Sequence, residues 1–286
     1  MPGEVTAVLL LSCPDQRGLV ASVSDFIFRN GGNILDFDHH TDLEEGLFLL
    51  RATWDVDGFQ VPRGEIADAF RPVARRFGMA FELRFSDDVP RMAVFASTQG
   101  HCLQDLLWRW RAGELRAEVP LVVSNHDDLR GVAEGYGVAF ALHPVAPEGR
   151  AEQEAAVAAR LAAERIDLIV LARYMQVLSD PFVSSWPNRI VNIHHSFLPA
   201  FAGARPYHQA FSRGVKVIGA TAHYVTAELD EGPIIEQDVA RVSHRDTVDD
   251  LIRKGRDLER VVLARAVDLH LRHRVLVHGR KTVVFG

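Results

Sequence analysis

The stretch NIHHSFLPAF, residues 192–201, decides how the rest of the chain is read. It continues a short apolar run that begins near Arg189, and it places an asparagine, two histidines, a serine and a proline where that run ends. A short apolar run bounded in this way reads as a buried strand. In α/β folds reactive groups collect just past such strand ends, because the scaffold is rigid and the loop is open to ligand. A single asparagine or histidine would read as a satisfied core group. The pattern around it changes that reading.

From residue 91 onward the rhythm is α/β. Apolar runs at 92–96, 121–123, 168–171, 190–193 and 217–222 alternate with helical segments such as 102–111 and 151–165. Continuous apolar runs suit strands buried on both faces of a mainly parallel sheet. A strand at 233–242 follows, then a long helix from Asp246-Thr247 in which Val248, Leu251, Ile252, Leu258, Val261 and Val262 keep the helical period. The tail, 274–278 and 281–285 around Gly279-Arg280, reads as a two-residue hairpin.

Ahead of Pro90 the pattern is different. Strands at 4–12, 34–41, 47–56 and 79–85 and helices at 18–29 and 64–77 give the order β-α-β-β-α-β, the ferredoxin-like unit. Val20, Val23 and Ile27 set one face of the first helix, and Asn30-Gly31-Gly32-Asn33 stops it. The expected organisation is a ferredoxin-like domain over 1–86, a linker at 87–90 and a Rossmann-like domain over 91–286.

At 286 residues the chain is long enough for two such domains, and 48% hydrophobic with 24% charged residues is ordinary soluble composition. A net charge of −6 offers no general attraction to nucleic acid or anionic membrane. The densest basic run, Arg253-Lys254-Gly255-Arg256, reads as a solvated helix face. Cys13 and Cys102 fall in separate domains and form neither a disulfide framework nor a metal set, so a reducing cytoplasm is expected. The N-terminal VTAVLLLSC lacks a basic residue ahead of its apolar run and is too short for a signal segment, so it reads as a buried first strand.

The turn after the first strand of the second domain, Ser97-Thr98-Gln99-Gly100-His101, has one glycine and matches neither a dinucleotide fingerprint nor a phosphate loop. No Gly-x-Ser-x-Gly elbow is present. His194, His195, His208 and His223 match no metal-ligand spacing, so neither a metal nor a cofactor is expected. What remains is acid–base chemistry, for which Asn192, His194 and Asp230 are the minimum set: an imidazole, a carboxylate to tune it and an amide donor for an oxyanion. Alone, an aspartate in the turn Glu228-Leu229-Asp230-Glu231-Gly232-Pro233 would face solvent. His223 reads either as a supporting or binding residue or as core, whereas His195 and His208 read as structural.

These motifs carry a resemblance. Residues 91–286 resemble the formyltransferase domain of folate enzymes, with Asn192-Ile193-His194 as its Asn-x-His and Asp230 in Leu229-Asp230-Glu231-Gly232-Pro233-Ile234-Ile235 as its aspartate. Residues 4–86 resemble an ACT regulatory domain. With His194-His195-Ser196-Phe197-Leu198-Pro199, Gly203-Ala204-Arg205-Pro206-Tyr207-His208 and Gly219-Ala220-Thr221-Ala222-His223-Tyr224, the whole chain resembles the formyltetrahydrofolate deformylase family. That resemblance implies hydrolysis of 10-formyltetrahydrofolate to tetrahydrofolate and formate, a homo-oligomer, and a role in one-carbon balance and purine biosynthesis. It also implies that folate lies along one loop holding Met175, Gln176, Val177 and Leu178 and another holding Thr226, Ala227, Glu228 and Leu229, with His223 nearby. Gln176 stands where the family commonly has a basic residue.

Transfer of the formyl group to the amine of glycinamide ribonucleotide is the alternative activity. Its phosphate-bearing acceptor needs a glycine-rich cradle, which Ser97–His101 does not offer. The expected mechanism has water bridged to Asp230 attacking the formyl carbon while Asn192 and protonated His194 hold the oxyanion. In the first domain, Asp15, Gly18 and Leu19, with Asn33 across a subunit boundary, are the residues the ACT resemblance assigns to an amino-acid effector, methionine or glycine.

Overall fold

The computed structural model describes residues 5–144, 149–199 and 206–286. The motif residues Gly203, Ala204 and Arg205 lie outside the described residues. Two compact units emerge: one of Met1–Val89, Arg272–His278 and Val283–Gly286, the other of Pro90–Leu271 and Gly279–Thr282.

In the first unit the chain runs β1 (Thr6–Pro14), α1 (Leu19–Arg29), β2 (Asn33–Asp42), β3 (Leu47–Asp55), α2 (Ile66–Phe77) and β4 (Ala80–Phe85). The sheet order is β2-β3-β1-β4 with antiparallel neighbours, the ferredoxin-like arrangement. Ala7, Leu9, Leu11 and Cys13 alternate along β1 and meet Leu19, Val23 and Ile27 of α1 and Ile66, Phe70 and Ala74 of α2. The buried helix face is therefore Leu19, Val23 and Ile27, while Val20, expected on it, is exposed. Phe70 stands edge-on to both Phe26 and Phe81, at centroid separations of 5.1 and 5.0 Å, a favoured aromatic geometry.

Second-unit elements are β5 (Arg91–Ala96), α3 (His101–Arg111), β6 (Glu118–Ser124), α4 (Arg130–Gly135), β7 (Ala139–Leu142), α5 (Arg150–Ala163), β8 (Leu168–Leu171), α6 (Asp180–Ser184), β9 (Ile190–His194), α7 (Pro206–Arg213), β10 (Val217–Tyr224), β11 (Ile234–Arg241) and α8 (Val248–Leu271). The chain ends in β12 (Val275–His278) and β13 (Lys281–Val284), paired around Gly279-Arg280. The short α4, β7 and α6 escaped the sequence reading because four to six residues carry too little periodicity.

The C-terminal strands form the expected hairpin but lie elsewhere than expected. The sequence reading assigned them to the second domain, but Leu276, Val283 and Phe285 pack with Leu10, Leu47 and Leu49 of β1 and β3. Helices cover one face of the first sheet and the tail covers the other. That is why β1 and β3 read as unbroken apolar runs instead of alternating ones.

The seven-stranded sheet has the order β11-β10-β9-β8-β5-β6-β7. Strands β5 to β9 pair in parallel; β10 is antiparallel to β9 and β11 antiparallel to β10. From β5 the chain moves outward through β6 and β7, then returns to place β8 on the other side of β5. This is a topological switch point, where loops after adjacent strands diverge and leave a crevice. The loops there are joined by hydrogen bonds: Ser97 N–H donates to Arg173 O at 3.3 Å, and Met175 N–H donates to Ser97 Oγ at 3.0 Å.

Candidate active site

Strand register assembles the first three side chains. Asn192 and His194 are two apart on β9 and so share a face, and Asn192 pairs directly with His223 of β10. The Asn192 amide nitrogen consequently lies 3.2 Å from His223 Nε2. His194 pairs with Thr221, whose hydroxyl donates to Ser196 O at 2.9 Å and accepts from Leu198 N–H at 3.1 Å. Gln237 of β11 donates to the same hydroxyl and to Leu198 O, so the chain leaving His194 is held from the far strand.

The fourth side chain arrives on the turn between β10 and β11. Tyr224 N–H donates to Pro233 O at 2.9 Å, folding that turn tightly back on the strand. Such an approach requires glycine at 232, because a Cβ there would lie 1.7 Å from Tyr224 O. Asp230 takes a left-handed conformation, φ 56°, which is uncommon outside glycine and tolerated by aspartate. The result places Asp230 Oδ2 3.2 Å from His194 Nδ1 and Oδ1 3.6 Å from His223 Nε2. Expected alone to face solvent, Asp230 is instead only 26% exposed in its side chain.

Hydrogen bonding from His194, and then from His223, holds the Asp230 carboxyl well below the usual carboxylate range despite its partial burial. Because the carboxylate only accepts, His194 Nδ1 carries a proton, which leaves Nε2 to face any ligand. That nitrogen is buried and has no hydrogen-bond partner among the described residues. His223 Nδ1 is committed to Tyr224 O at 2.9 Å, so its Nε2 changes role with protonation. Neutral, it accepts from Asn192; charged, it donates toward Asp230.

The structure therefore brings Asn192, His194, His223 and Asp230 around one centre. His195, read as structural, stacks on His194 at 5.0 Å, and burial together with the Arg173 and His194 charges lowers its pKa to about 4. His208 is exposed on α7. Of the two expected folate loops, Met175 and Val177 are exposed, while Gln176 and Leu178 are half-buried. Leu229 is exposed, and Thr226 Oγ1 donates to Glu228 O at 3.1 Å within the second loop, which also holds Ala227. Exposed Met175, Val177 and Leu229 give these loops the apolar character a flat aromatic ligand needs.

In the first unit, Gly18 at φ 91° heads α1, and no side chain caps the helix there. Asp15 and Asn33 are exposed, whereas the Leu19 side chain is buried in the core and leaves only its backbone to meet a ligand. Sequence reasoning assigned no role to Ser97, Arg173, Tyr207 or Glu259, whose side-chain contacts are long-range.

Residues 90–267 match the formyl transferase family. The chain is 58% identical over 283 residues to a formyltetrahydrofolate deformylase from Synechocystis sp., covering 99% of each chain. Its structure is similar to that of a formyltetrahydrofolate deformylase from Pseudomonas syringae pv. tomato, with a TM-score of 0.97, 45% identity and coverage of 100% and 96% of the two chains. It is also similar to glycinamide ribonucleotide transformylase 1 from Symbiobacterium toebii, with a TM-score of 0.66 and 38% identity over 72% of this chain and 98% of that one.

Proposed function

Because the chain belongs to the formyltetrahydrofolate deformylase family, we propose that it hydrolyses 10-formyltetrahydrofolate to tetrahydrofolate and formate. One observation supports this chemistry above the others: His194 Nε2 is buried and without a partner among the described residues, with the Asn192 amide on the same strand face and the Asp230 carboxylate behind the ring.

The reaction adds one water across an amide bond. Water oxygen bonds to the formyl carbon, the carbonyl oxygen becomes anionic, N10 takes a proton and the C–N bond breaks. Asn192 has a second amide N–H beyond the one near His223, and this hydrogen stabilises the oxyanion. In its charged form His194 donates through Nε2 to the same oxygen and then supplies the proton that N10 needs. Asp230 keeps the ring in the required orientation and accepts a hydrogen from the attacking water. These groups suffice without a metal or organic cofactor. Formate released in this way feeds purine biosynthesis and balances one-carbon pools.

The amine-transfer alternative is weaker. The turn Ser97–His101 lacks a glycine cradle, and His101 bonds inward to Glu259 at 2.7 Å. Purified protein given 10-formyltetrahydrofolate and no amine should release formate; formate that appears only with an added amine would replace the hydrolase by a transferase.

For the first unit, the reading is an ACT-type effector domain that binds methionine or glycine through the uncapped amides at Gly18 and Leu19, with Asp15 and Asn33 alongside. Pairing of such domains into a homo-oligomer would cover the exposed Phe28 and Leu35. Calorimetric titration with both amino acids tests this; heats indistinguishable from dilution would leave a pairing module without an effector. No helix among the described residues is long and apolar enough to cross a membrane. Cys13 and Cys102 are free and buried, which fits the reducing cytoplasm.

A further inference from the structure

Behind the reaction centre lies a buried carboxylate that the mechanism above does not use. Glu259, on α8, is 1% exposed. Its Oε2 lies 2.7 Å from His101 Nε2 at the start of α3 and 3.5 Å from Arg173 Nε beyond β8, and its Oε1 accepts from Tyr207 Oη of α7 at 2.8 Å. At 3.5 Å the Arg173 contact is an ion pair rather than a hydrogen bond. Burial pushes the carboxyl upward, but the His101 hydrogen bond, the Arg173 charge and the Tyr207 hydroxyl outweigh it and keep it below the usual range.

Two features mark this as a built arrangement. Gly255 precedes Glu259 by one helical turn, and a Cβ there would lie 2.0 Å from Tyr207 Oη. Only glycine lets the tyrosine ring lie against α8 and reach the carboxylate. Arg173 is a non-glycine residue at φ 63°, a conformation that persists when its surroundings over-determine it.

His101, Cys102 and Glu259 also offer a nitrogen, a sulfur and an oxygen within 4.8 Å of one another. A dication there would stand beside the Arg173 guanidinium, which already supplies the compensating charge. The cluster reads better as an anchor than as a metal site.

Two arms lead from Glu259 to the chemistry. Tyr207 lies 6.3 Å from the His195 ring, which stacks on His194. The Arg173 carbonyl accepts from Ser97 N–H, and Ser97 Oγ accepts from Met175 N–H, so the second arm ends in the loop assigned to folate. We propose that Glu259 is a positioning residue that holds the catalytic His194 through Tyr207 and His195, and the folate loop through Arg173. The inference rests on the hydrolase reading for its kinetic consequence alone.

The test compares Tyr207→Phe, Arg173→Gln and Glu259→Gln, measuring kcat, KM for 10-formyltetrahydrofolate, Kd for unreactive 5-formyltetrahydrofolate, and Tm. Each arm lost should cost about tenfold, the worth of a buried hydrogen bond for Tyr207 and of a buried ion pair for Arg173. Tyr207→Phe should lower kcat with KM unchanged, Arg173→Gln should raise KM and Kd with kcat nearly unchanged, and Glu259→Gln should do both. A purely structural role predicts a lower Tm with kcat and KM preserved in the folded fraction, and that result would overturn the proposal. Should Glu259→Gln not fold, the opposite signatures of the two arm variants still decide. If the wild type releases no formate, the hydrolase reading falls while the Kd of Arg173→Gln continues to test the folate arm.

Discussion

Asp230 and Glu259 are two carboxylates of the second unit, both held below the usual carboxylate range by their neighbours, yet they differ in backbone setting and in access to solvent. Asp230 sits on a strained, glycine-enabled turn, with a quarter of its side chain open and two histidines as partners. Glu259 sits in regular helix, closed to solvent and held from three sides by His101, Arg173 and Tyr207. A lowered carboxyl pKa marks positive or donating neighbours in both cases. Access distinguishes the group that can meet water and substrate from the one that can act only on other side chains.

The sharpest way to break that contrast is Asp230→Asn. It keeps the shape but removes the charge that orients His194 and receives the water's hydrogen, so kcat should fall about 10³-fold or more, beyond the loss expected for one oxyanion donor. Near-normal formate release by this variant would remove Asp230 from the chemistry. Gly232→Ala comes next. Its Cβ cannot coexist with Tyr224 O at 1.7 Å, so the turn must move and carry Asp230 with it. A displacement of about 1 Å at a reacting group costs about 10² in rate, to be read from kcat on protein whose Tm is measured in parallel. Preserved kcat would show that the turn can relax without moving the carboxylate. His223→Phe should cost only about tenfold, the worth of the hydrogen bond that orients Asn192. A loss as large as that of Asp230→Asn would promote His223 to a direct chemical role.

Asp230 and His195 also differ in how their contribution to stability responds to acid. Asp230 has a lowered folded pKa, so its histidine pairing contributes fully above the ordinary aspartate value of about 4 and is lost only as pH falls through the still lower folded value. His195 is held neutral, with a folded pKa of about 4, so the unfolded chain gains a proton that the folded one refuses as pH drops below the ordinary value of about 6.5. Tm should therefore decline between those values before the Asp230 pairing is touched; His195→Phe should reduce that decline, the remainder belonging to His273, which burial also holds at about 4. The smallest expected effect is none: exhaustive treatment with a chelator should leave kcat unchanged. Activity lost to chelation and restored by zinc would turn the His101, Cys102 and Glu259 cluster into a metal site and Glu259 into a ligand.

What could be read in advance follows the range of the interactions. Asn192 and His194 were legible because a two-residue spacing on a strand fixes a shared face. The ferredoxin-like order and the parallel rhythm were legible for the same reason, since period and strand length are local. Asp230 was named as the carboxylate of the same set, but its place beside His194 was not legible, because a turn aspartate reads as solvent-facing until the turn is known to fold back at Gly232. The Glu259 anchor was out of reach. Its partners come from α3, the end of β8 and α7, and the one local trace was an acidic residue beside Leu258 and Val262 with a glycine one turn earlier. The tail's place against β1 and β3 was equally hidden, although strands lacking alternation already implied a second cover.

Isotope labelling tests the central claim most directly. Wild-type protein is incubated with 10-formyltetrahydrofolate in ¹⁸O-enriched water without any amine, and the formate is analysed by mass spectrometry. Direct attack by water on the formyl carbon predicts formate carrying a solvent oxygen, with Asp230→Asn releasing almost none. Formate without solvent oxygen, or a formyl group that leaves only when an amine is supplied, would contradict it.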